Sequence, residues 1–160
     1  MAEKEKPVIE LKNIWKSYKV GGTLLHALKG VDLEIYKGEF VIILGKSGSG
    51  KSTLMHMVGA LDTPSKGKIF LESKDISKLD ESNLSQIRGR KIGFVFQQFN
   101  LIPILNAIEN VSLPMLFQEI EQDLREKRSR KLLALVGLGE RMNHKPTELS
   151  GGEQQRVAIA

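Results

Sequence analysis

Gly45-Lys46-Ser47-Gly48-Ser49-Gly50-Lys51-Ser52 is the stretch that decides the fold. Its spacing, a glycine, four free positions, then glycine, lysine and serine, is that of a phosphate-binding loop. Gly45, Gly48 and Gly50 let the backbone turn tightly and bring its N–H groups against an anion, with Lys46, Ser47 and Ser49 between them. Lys51 is placed to reach the β- and γ-phosphates, and the Ser52 hydroxyl to ligate Mg²⁺. A helix starting near Ser52 and Thr53 points its positive end at the same phosphates. A random chain of this size would show the match about once in 200.

The flanks sharpen the reading. Phe40-Val41-Ile42-Ile43-Leu44 is a continuous apolar run ending at Gly45, which predicts a parallel strand covered on both faces. Ser52 to Val58 predicts a buried helix closed by Gly59. A strand, a glycine loop and a helix in that order are the context a phosphate loop requires.

The whole chain sets outer limits. Its 160 residues suffice for one ordinary domain, and 41% apolar with 27% charged residues is a globular composition. No apolar run approaches the roughly 18 residues needed to span a bilayer. The start, Met1-Ala2-Glu3-Lys4-Glu5-Lys6, is charged and unlike a signal peptide, and reads as a frayed tail. There is no cysteine, hence no disulfide or thiolate metal site. These features suggest a cytoplasmic protein. The net charge of +5 suits a phosphate ligand or an anionic surface.

Strand patterns run from Val8 towards Tyr18 and from Leu24 to Ile35, joined by a Gly21-Gly22 hairpin turn and interrupted near Lys29-Gly30. Asp62-Thr63-Pro64-Ser65-Lys66-Gly67 is a turn cluster and Lys68 to Leu71 a short strand. Residues 79–90 read as helix. Ile92-Gly93-Phe94-Val95-Phe96 reads as a second buried strand, ending at Gln97-Gln98. Helices follow over 106–112 and 123–136, with Pro103 and Pro114 as punctuation and Gly137 as a C-cap. In the second of these, Leu124, Leu132, Leu135 and Val136 share a face, opposite the basic run Lys127-Arg128-Ser129-Arg130-Lys131. That run reads as a solvated helix face, diluted by Glu121, Asp123 and Glu126 and without aromatics for base stacking, so no nucleic-acid partner is expected.

A second motif is Leu149-Ser150-Gly151-Gly152-Glu153-Gln154-Gln155-Arg156. Ser150 and Glu153 have the spacing of a capping box opening a helix through Ala160. Two glycines in a first helical turn are costly, and make sense if bare N–H groups must touch a ligand. Both readings stay open on these residues alone.

In order, the loop at 45–52, the stretch Phe94 to Pro103 and the motif at 149–156 resemble the ATP-binding subunits of ABC transporters. The likeness extends from about Ile9 to Ala160 and is strongest to the branch serving lipoprotein release and macrolide export. It implies an α/β fold, a P-loop NTPase core with an antiparallel N-terminal β-subdomain and a helical insertion subdomain. The divisions are residues 1–96 for the core, 97–149 for the helical subdomain and 150–160 for the start of the signature helix. It further implies ATP and Mg²⁺ as ligands. ATP would contact Tyr18, by adenine stacking, together with Gly45, Lys46, Ser47, Gly48, Ser49, Gly50, Lys51, Ser52 and Thr53. Mg²⁺ would meet Ser52 and Gln97. The alternatives are an aromatic at a sheet edge for Tyr18, less favoured than stacking, and a polar strand end for Gln97. Ser150, Gly151, Gly152 and Glu153 would bind the γ-phosphate of ATP held by a second subunit in a head-to-tail dimer. Transmembrane permease subunits are the other partners, with the chain on the inner face of the cell membrane. The apolar stretch Phe99 to Leu116 is either their docking surface or core of the helical subdomain.

The sequence departs from the family in one large respect. The family carries a further apolar strand ending in Asp-Glu, and a later histidine, for hydrolysis. Val31-Asp32-Leu33-Glu34 and Leu79-Asp80-Glu81 lack the preceding apolar run. His26, His56 and His144 fall in a strand, a helix and a polar loop, and read as structural. The expectation is a chain truncated after the signature motif, by gene splitting, frameshift or deliberate shortening. It would bind nucleotide weakly without turnover, and no catalytic residue is identifiable. The alternative is a non-hydrolytic nucleotide-binding or interaction module. The absent strands would also leave Phe40–Leu44 without a neighbour and its apolar surface exposed. Another P-loop enzyme, such as a small-molecule kinase, has no use for Leu149–Arg156.

Overall fold

The computed structural model describes residues 6–160. The expected frayed tail and the start of the 1–96 core therefore lie partly outside the described residues. The chain forms two compact units, Met1–Gly93 and Phe94–Ala160.

In the first unit, strands β1 (Ile9–Val20) and β2 (Thr23–Ile35) make a long antiparallel hairpin about the Gly21-Gly22 turn. Opposite Trp15 the register slips between Ile14↔Val31 and Lys16↔Leu28, so Lys29-Gly30 is a bulge within a continuous strand. Strands β3 (Lys66–Leu71) and β4 (Lys74–Asp75) extend the sheet in the order β2-β1-β3-β4, all pairs antiparallel. A second irregularity at Asn13, with φ of 50°, breaks strict alternation, so Leu11 and Ile14 are both buried three residues apart. They pack with Leu28, Ile69 and Leu71 of the sheet, Met57 of helix α1 (Lys51–Val58) and Leu84 of helix α2 (Glu81–Lys91). Asp80 caps α2 by accepting from the Asn83 N–H at 2.8 Å.

The structure corrects two strand expectations. Neither Phe40–Leu44 nor Ile92–Phe96 is a strand. An extended segment needs a neighbour for its N–H and C=O groups, and no described strand pairs with either run. Phe40, Ile42 and Leu44 are 90%, 65% and 87% exposed, the apolar surface anticipated for an unpartnered run.

The second unit is helical. Helix α3 (Ala107–Leu116) opens with a capping box between Asn106 and Glu109 and runs through Pro114, which therefore does not end it. So close to the C-terminal end, the proline removes a single helical hydrogen bond. Helix α4 (Gln122–Leu135) corrects the expected apolar face. Ser129 and Leu133 are buried, whereas Leu135 is 73% exposed. The Ser129 hydroxyl is satisfied inside the helix, donating to the Arg125 carbonyl at 2.8 Å. The basic run 127–131 is exposed apart from Ser129, and Arg130 pairs with Glu126 one turn away.

Helix α4 ends in a Schellman turn. The N–H of Gly137 bonds the Ala134 carbonyl at 3.0 Å and that of Leu138 the Leu133 carbonyl at 2.8 Å. Gly137 has φ of 75°, and Leu133 and Leu138 are both buried beneath the turn. Helix α5 (Gly151–Ile159) places Val157 in the same core as Ala107, Val111 and Leu149. Gln154 braces the segment before it, its side-chain amide donating to the carbonyls of Pro146 and Leu149 at 2.9 and 3.0 Å.

At Gly137 a side chain meets open space but an unfavourable φ. Gly137→Ala is expected to lower unfolding free energy by about 1 kcal/mol, and Gly137→Asn by less. Urea titration checks the order; equal stability of all three forms would contradict the turn geometry.

Candidate functional site

The phosphate-loop residues gather at one junction. After the unpaired run 40–44, the chain turns through residues 47–50 and enters α1 at Lys51. Gly50 occupies the cap position with φ of 90°, and a Cβ there would lie 2.5 Å from the Ala27 carbonyl oxygen of β2. Only glycine fits, and the fit has a chemical consequence: the cap residue has no side chain to accept from the first helical N–H groups. The first bond of α1 runs from the Leu54 N–H to the Gly50 carbonyl at 2.8 Å. The N–H groups of Lys51, Ser52 and Thr53 thus precede any intrahelical acceptor and carry the positive end of the helix dipole. The Lys51 ammonium folds over the loop and donates to the carbonyls of Gly45 at 2.8 Å and Lys46 at 2.7 Å. Ser49 tightens the turn, its N–H donating to the Lys46 carbonyl at 3.2 Å. Amides, a helix end and a cation on one small surface can hold a polyanion.

Tyr18 belongs to the same unit. It lies on β1 beyond the last β1–β3 pair, Trp15↔Lys66, and is supported on the sheet by Leu25 of β2. Its hydroxyl donates to Asp62 Oδ2 at 3.3 Å, and the Lys16 ammonium sits 5.3 Å from its ring centroid. Lys16 also donates to Asp62 Oδ1 at 2.6 Å and to the Thr63 carbonyl at 2.8 Å. Partial burial pushes the Asp62 carboxyl up, but hydrogen bonds from Lys16 and the Thr63 N–H outweigh it, and the net shift is below the ordinary value. Lys16 and Asp62 carry no sequence signal of this pairing. A lysine alternating along a strand reads as a solvent face, and Asp62 reads as one more turn residue. Trp15 packs edge-on to His26, with centroids 5.9 Å apart, and donates from its indole to Asn13, a structural setting.

The other site residues lie in the second unit. Gln97 is exposed in a bend of the irregular segment 92–105. Ser150 caps α5: its hydroxyl accepts from the Glu153 N–H at 3.4 Å, while Glu153 accepts from the Ser150 N–H at 2.8 Å. The capping box is thus formed, and Gly151 and Gly152 are exposed in the first turn it opens. The Ser150 backbone and hydroxyl hydrogen bonds hold the Glu153 carboxyl below its ordinary value. The stretch Phe99–Leu116 contributes to a largely apolar groove of about 460 Å³, lined among others by Phe96, Phe99, Leu113, Met115 and Leu132.

The acidic and histidine candidates are engaged elsewhere. Asp32 accepts from the Asn13 N–H at 2.8 Å and Asp80 caps α2. His26 shares a 2.7 Å hydrogen bond with the Ser17 hydroxyl, and His144 lies 3.2 Å from Arg141 Nη1. His56 sits in the last turn of α1.

Since Glu153 titrates low in the folded chain, its box stabilises fully above the ordinary value of 4.5 and fades as pH falls through the lowered one. Glu153→Gln is expected to lower the urea midpoint at pH 7 and to differ much less from the parent at pH 3. An equal difference at both pH values would contradict a charge-dependent cap.

No helix among the described residues is long and apolar enough to cross a membrane. Residues 28–160 match the family described as ABC transporter. An uncharacterized ABC transporter ATP-binding protein of Thermotoga maritima is 53% identical over 155 residues, covering 97% of this chain and 66% of that protein. The macrolide export ATP-binding/permease protein MacB of Wolinella succinogenes is 49% identical over 156 residues, covering 98% of this chain and 24% of that protein. The cassette MJ0796 of Methanocaldococcus jannaschii, solved as a dimer in a post-hydrolysis state bound to ADP and Pi, superposes with a TM-score of 0.87 at 49% identity. The match covers 94% of this chain and 67% of that one. The chain spans about two thirds of the length of the separate ATP-binding relatives it matches, 66% for the Thermotoga protein. The fold is that of a P-loop NTPase, and the chain belongs to the ATP-binding proteins of the ABC transporter family.

Proposed function

We propose that this chain is the nucleotide-gripping part of an ABC transporter ATP-binding subunit, which couples ATP binding and hydrolysis to substrate export through membrane permease partners. One observation carries the reading: an uncapped helix start beside a lysine whose ammonium lies on the loop's own carbonyls. That arrangement fits a triphosphate. The loop from Gly45 to Gly50 offers amides, Lys51 exchanges its carbonyl partners for phosphate oxygens, and Ser52 and Thr53 lie in the open first turn. Ser52 would hold Mg²⁺, which would offset charge on the β- and γ-phosphates, and Gln97 is the further ligand that the family resemblance implies. Tyr18 stacks on the adenine.

Ser150, Gly151, Gly152 and Glu153 serve the ATP of a second subunit paired head to tail. The MJ0796 cassette, solved as a dimer, supports that reading by similarity. Their cap and their ligand role are compatible, because the box occupies the Glu153 N–H and leaves those of Gly151 and Gly152 uncovered. The groove beside Phe99–Leu116 receives permease subunits, which places the protein on the cytoplasmic face of the membrane. The kinship with MacB supports export.

Hydrolysis needs a water-orienting carboxylate in addition to the phosphate grip. The acidic pairs of this sequence are committed to β2 and to the start of α2. The 160-residue chain alone therefore binds nucleotide without turnover.

Calorimetric titration with Mg-ATP tests the grip. Lys51→Ala is expected to weaken binding about tenfold to a hundredfold, as loss of charge-assisted hydrogen bonds would. An unchanged affinity overturns the assignment. Phosphate release by the purified chain is expected to stay at the buffer level, and sustained turnover would refute the non-hydrolytic reading.

A further inference from the structure

We propose that Asp62 is a positioning residue for the nucleobase: it ties Tyr18 to the far end of the helix whose near end grips the phosphates. The proposal rests on the nucleotide reading above and deepens it. It starts from a mechanical weakness. Beyond Trp15↔Lys66, Ser65 still holds β1, its N–H donating to the Trp15 carbonyl at 2.8 Å and its hydroxyl accepting from the Ser17 N–H at 3.0 Å, but from Tyr18 onward β1 pairs with β2 alone and the sheet is a two-stranded ribbon. Such a ribbon is at best marginally stable and twists freely. A stacking aromatic on it would wander relative to the loop unless something outside the hairpin held it.

Asp62 supplies that hold. Its Oδ2 accepts from the Tyr18 hydroxyl at 3.3 Å, while its Oδ1 accepts from Lys16 at 2.6 Å and from the Thr63 N–H at 2.7 Å. Lys16 lies two residues before Tyr18, and with its side chain 12% exposed it is largely out of solvent. Its ammonium is 5.3 Å from the ring centroid, so a cation–π contact restrains the ring as well. Phenol, carboxylate and ammonium therefore form one closed cluster, with two of its members on β1.

The other end of the tether is held by backbone hydrogen bonds. Helix α1 ends in its own Schellman turn, the Ala60 N–H bonding the Met57 carbonyl at 3.3 Å and the Leu61 N–H the His56 carbonyl at 2.9 Å. Ala60, at φ of 51° and 1% exposed, takes the left-handed position, and its carbonyl accepts from Arg88 of α2 at 2.8 Å. Asp62 follows two residues later. Its carboxylate thus moves with α1 as one body. Phosphate grip at one end of α1 and base contact at the other become parts of one rigid frame.

The test compares two ligands on the intact 160-residue chain: Mg-ATP, which has a base, and magnesium tripolyphosphate, which has none. In the parent chain, ATP is expected to bind more tightly. Tyr18→Phe keeps the ring and removes the tether, and Asp62→Ala removes it from the other side. Each is expected to reduce the preference for ATP about threefold to tenfold while leaving tripolyphosphate affinity unchanged. The double variant should lose no more than either single one, and Asp62→Asn, which keeps an acceptor for the phenol, should recover part of the preference. A fall in both affinities together, or an intact ATP preference in Tyr18→Phe, overturns the proposal. Tyr18→Phe is exposed and nearly isosteric, so it decides the matter even if Asp62→Ala does not fold. Loss of all binding in Lys51→Ala with these results negative leaves the phosphate grip standing and sinks only the tether. A parent chain that binds neither ligand overturns both.

Discussion

The close approach of Gly50 to the Ala27 carbonyl is the constraint on which the site depends. It presses the start of α1 against β2 so tightly that no Cβ fits. A bare cap residue follows, and with it a first turn whose N–H groups receive no side-chain cap from that residue. The same contact fixes α1 to the hairpin, so the loop inherits a sheet as its foundation. Helices α2, α3 and α5 open on side-chain acceptors, Asp80, Asn106 and Ser150, whereas α4, like α1, has none. What α1 gives up in local stability is offset by burial of Met57 and Ala60 against Leu11, Ile14 and Leu28.

Sequence and structure agree where the deciding interactions are short-range. The limits of α1, the Gly21-Gly22 turn, the Gly137 cap and the Ser150–Glu153 box all depend on residues within about five positions of one another. They were legible for that reason. Phe40–Leu44 and Ile92–Phe96 have the apolar content of buried strands, and the first also has the position that a phosphate loop requires of one. Strand formation is a property of a pair, and content does not reveal whether a partner is there. The buried face of α4 differs from the expected one for a related reason. Periodicity favoured the leucines, but packing selected Leu133 and a serine that satisfies its own hydroxyl on the Arg125 carbonyl.

The motif at 149–156 shows how one set of residues satisfies two demands. A helix start needs an acceptor for its early N–H groups, and a ligand site needs some of them bare. Ser150 and Glu153 bond reciprocally, so the box occupies the Glu153 N–H and leaves those of Gly151 and Gly152 to face solvent. The two readings that the sequence left open are therefore not rivals. The cap sets the direction of the exposed amides, and without it the glycines would favour unwinding over presentation.

Tyr18 carries the lesson furthest. Its aromatic face could be read from position and residue type, but its anchor could not, because Asp62 lies 44 residues away. No local rule links a strand tyrosine to a turn aspartate. Only folding, by placing β1 beside the end of α1, brings phenol, carboxylate and the Lys16 ammonium together. The charge on Asp62 is what makes the cluster closed rather than incidental. Partial burial alone would favour the neutral acid, yet the lysine and the Thr63 amide keep it ionised. An ionised acceptor makes the stronger bond to the phenol. The ring thereby gains a contact from outside the hairpin, where β1 pairs with β2 alone.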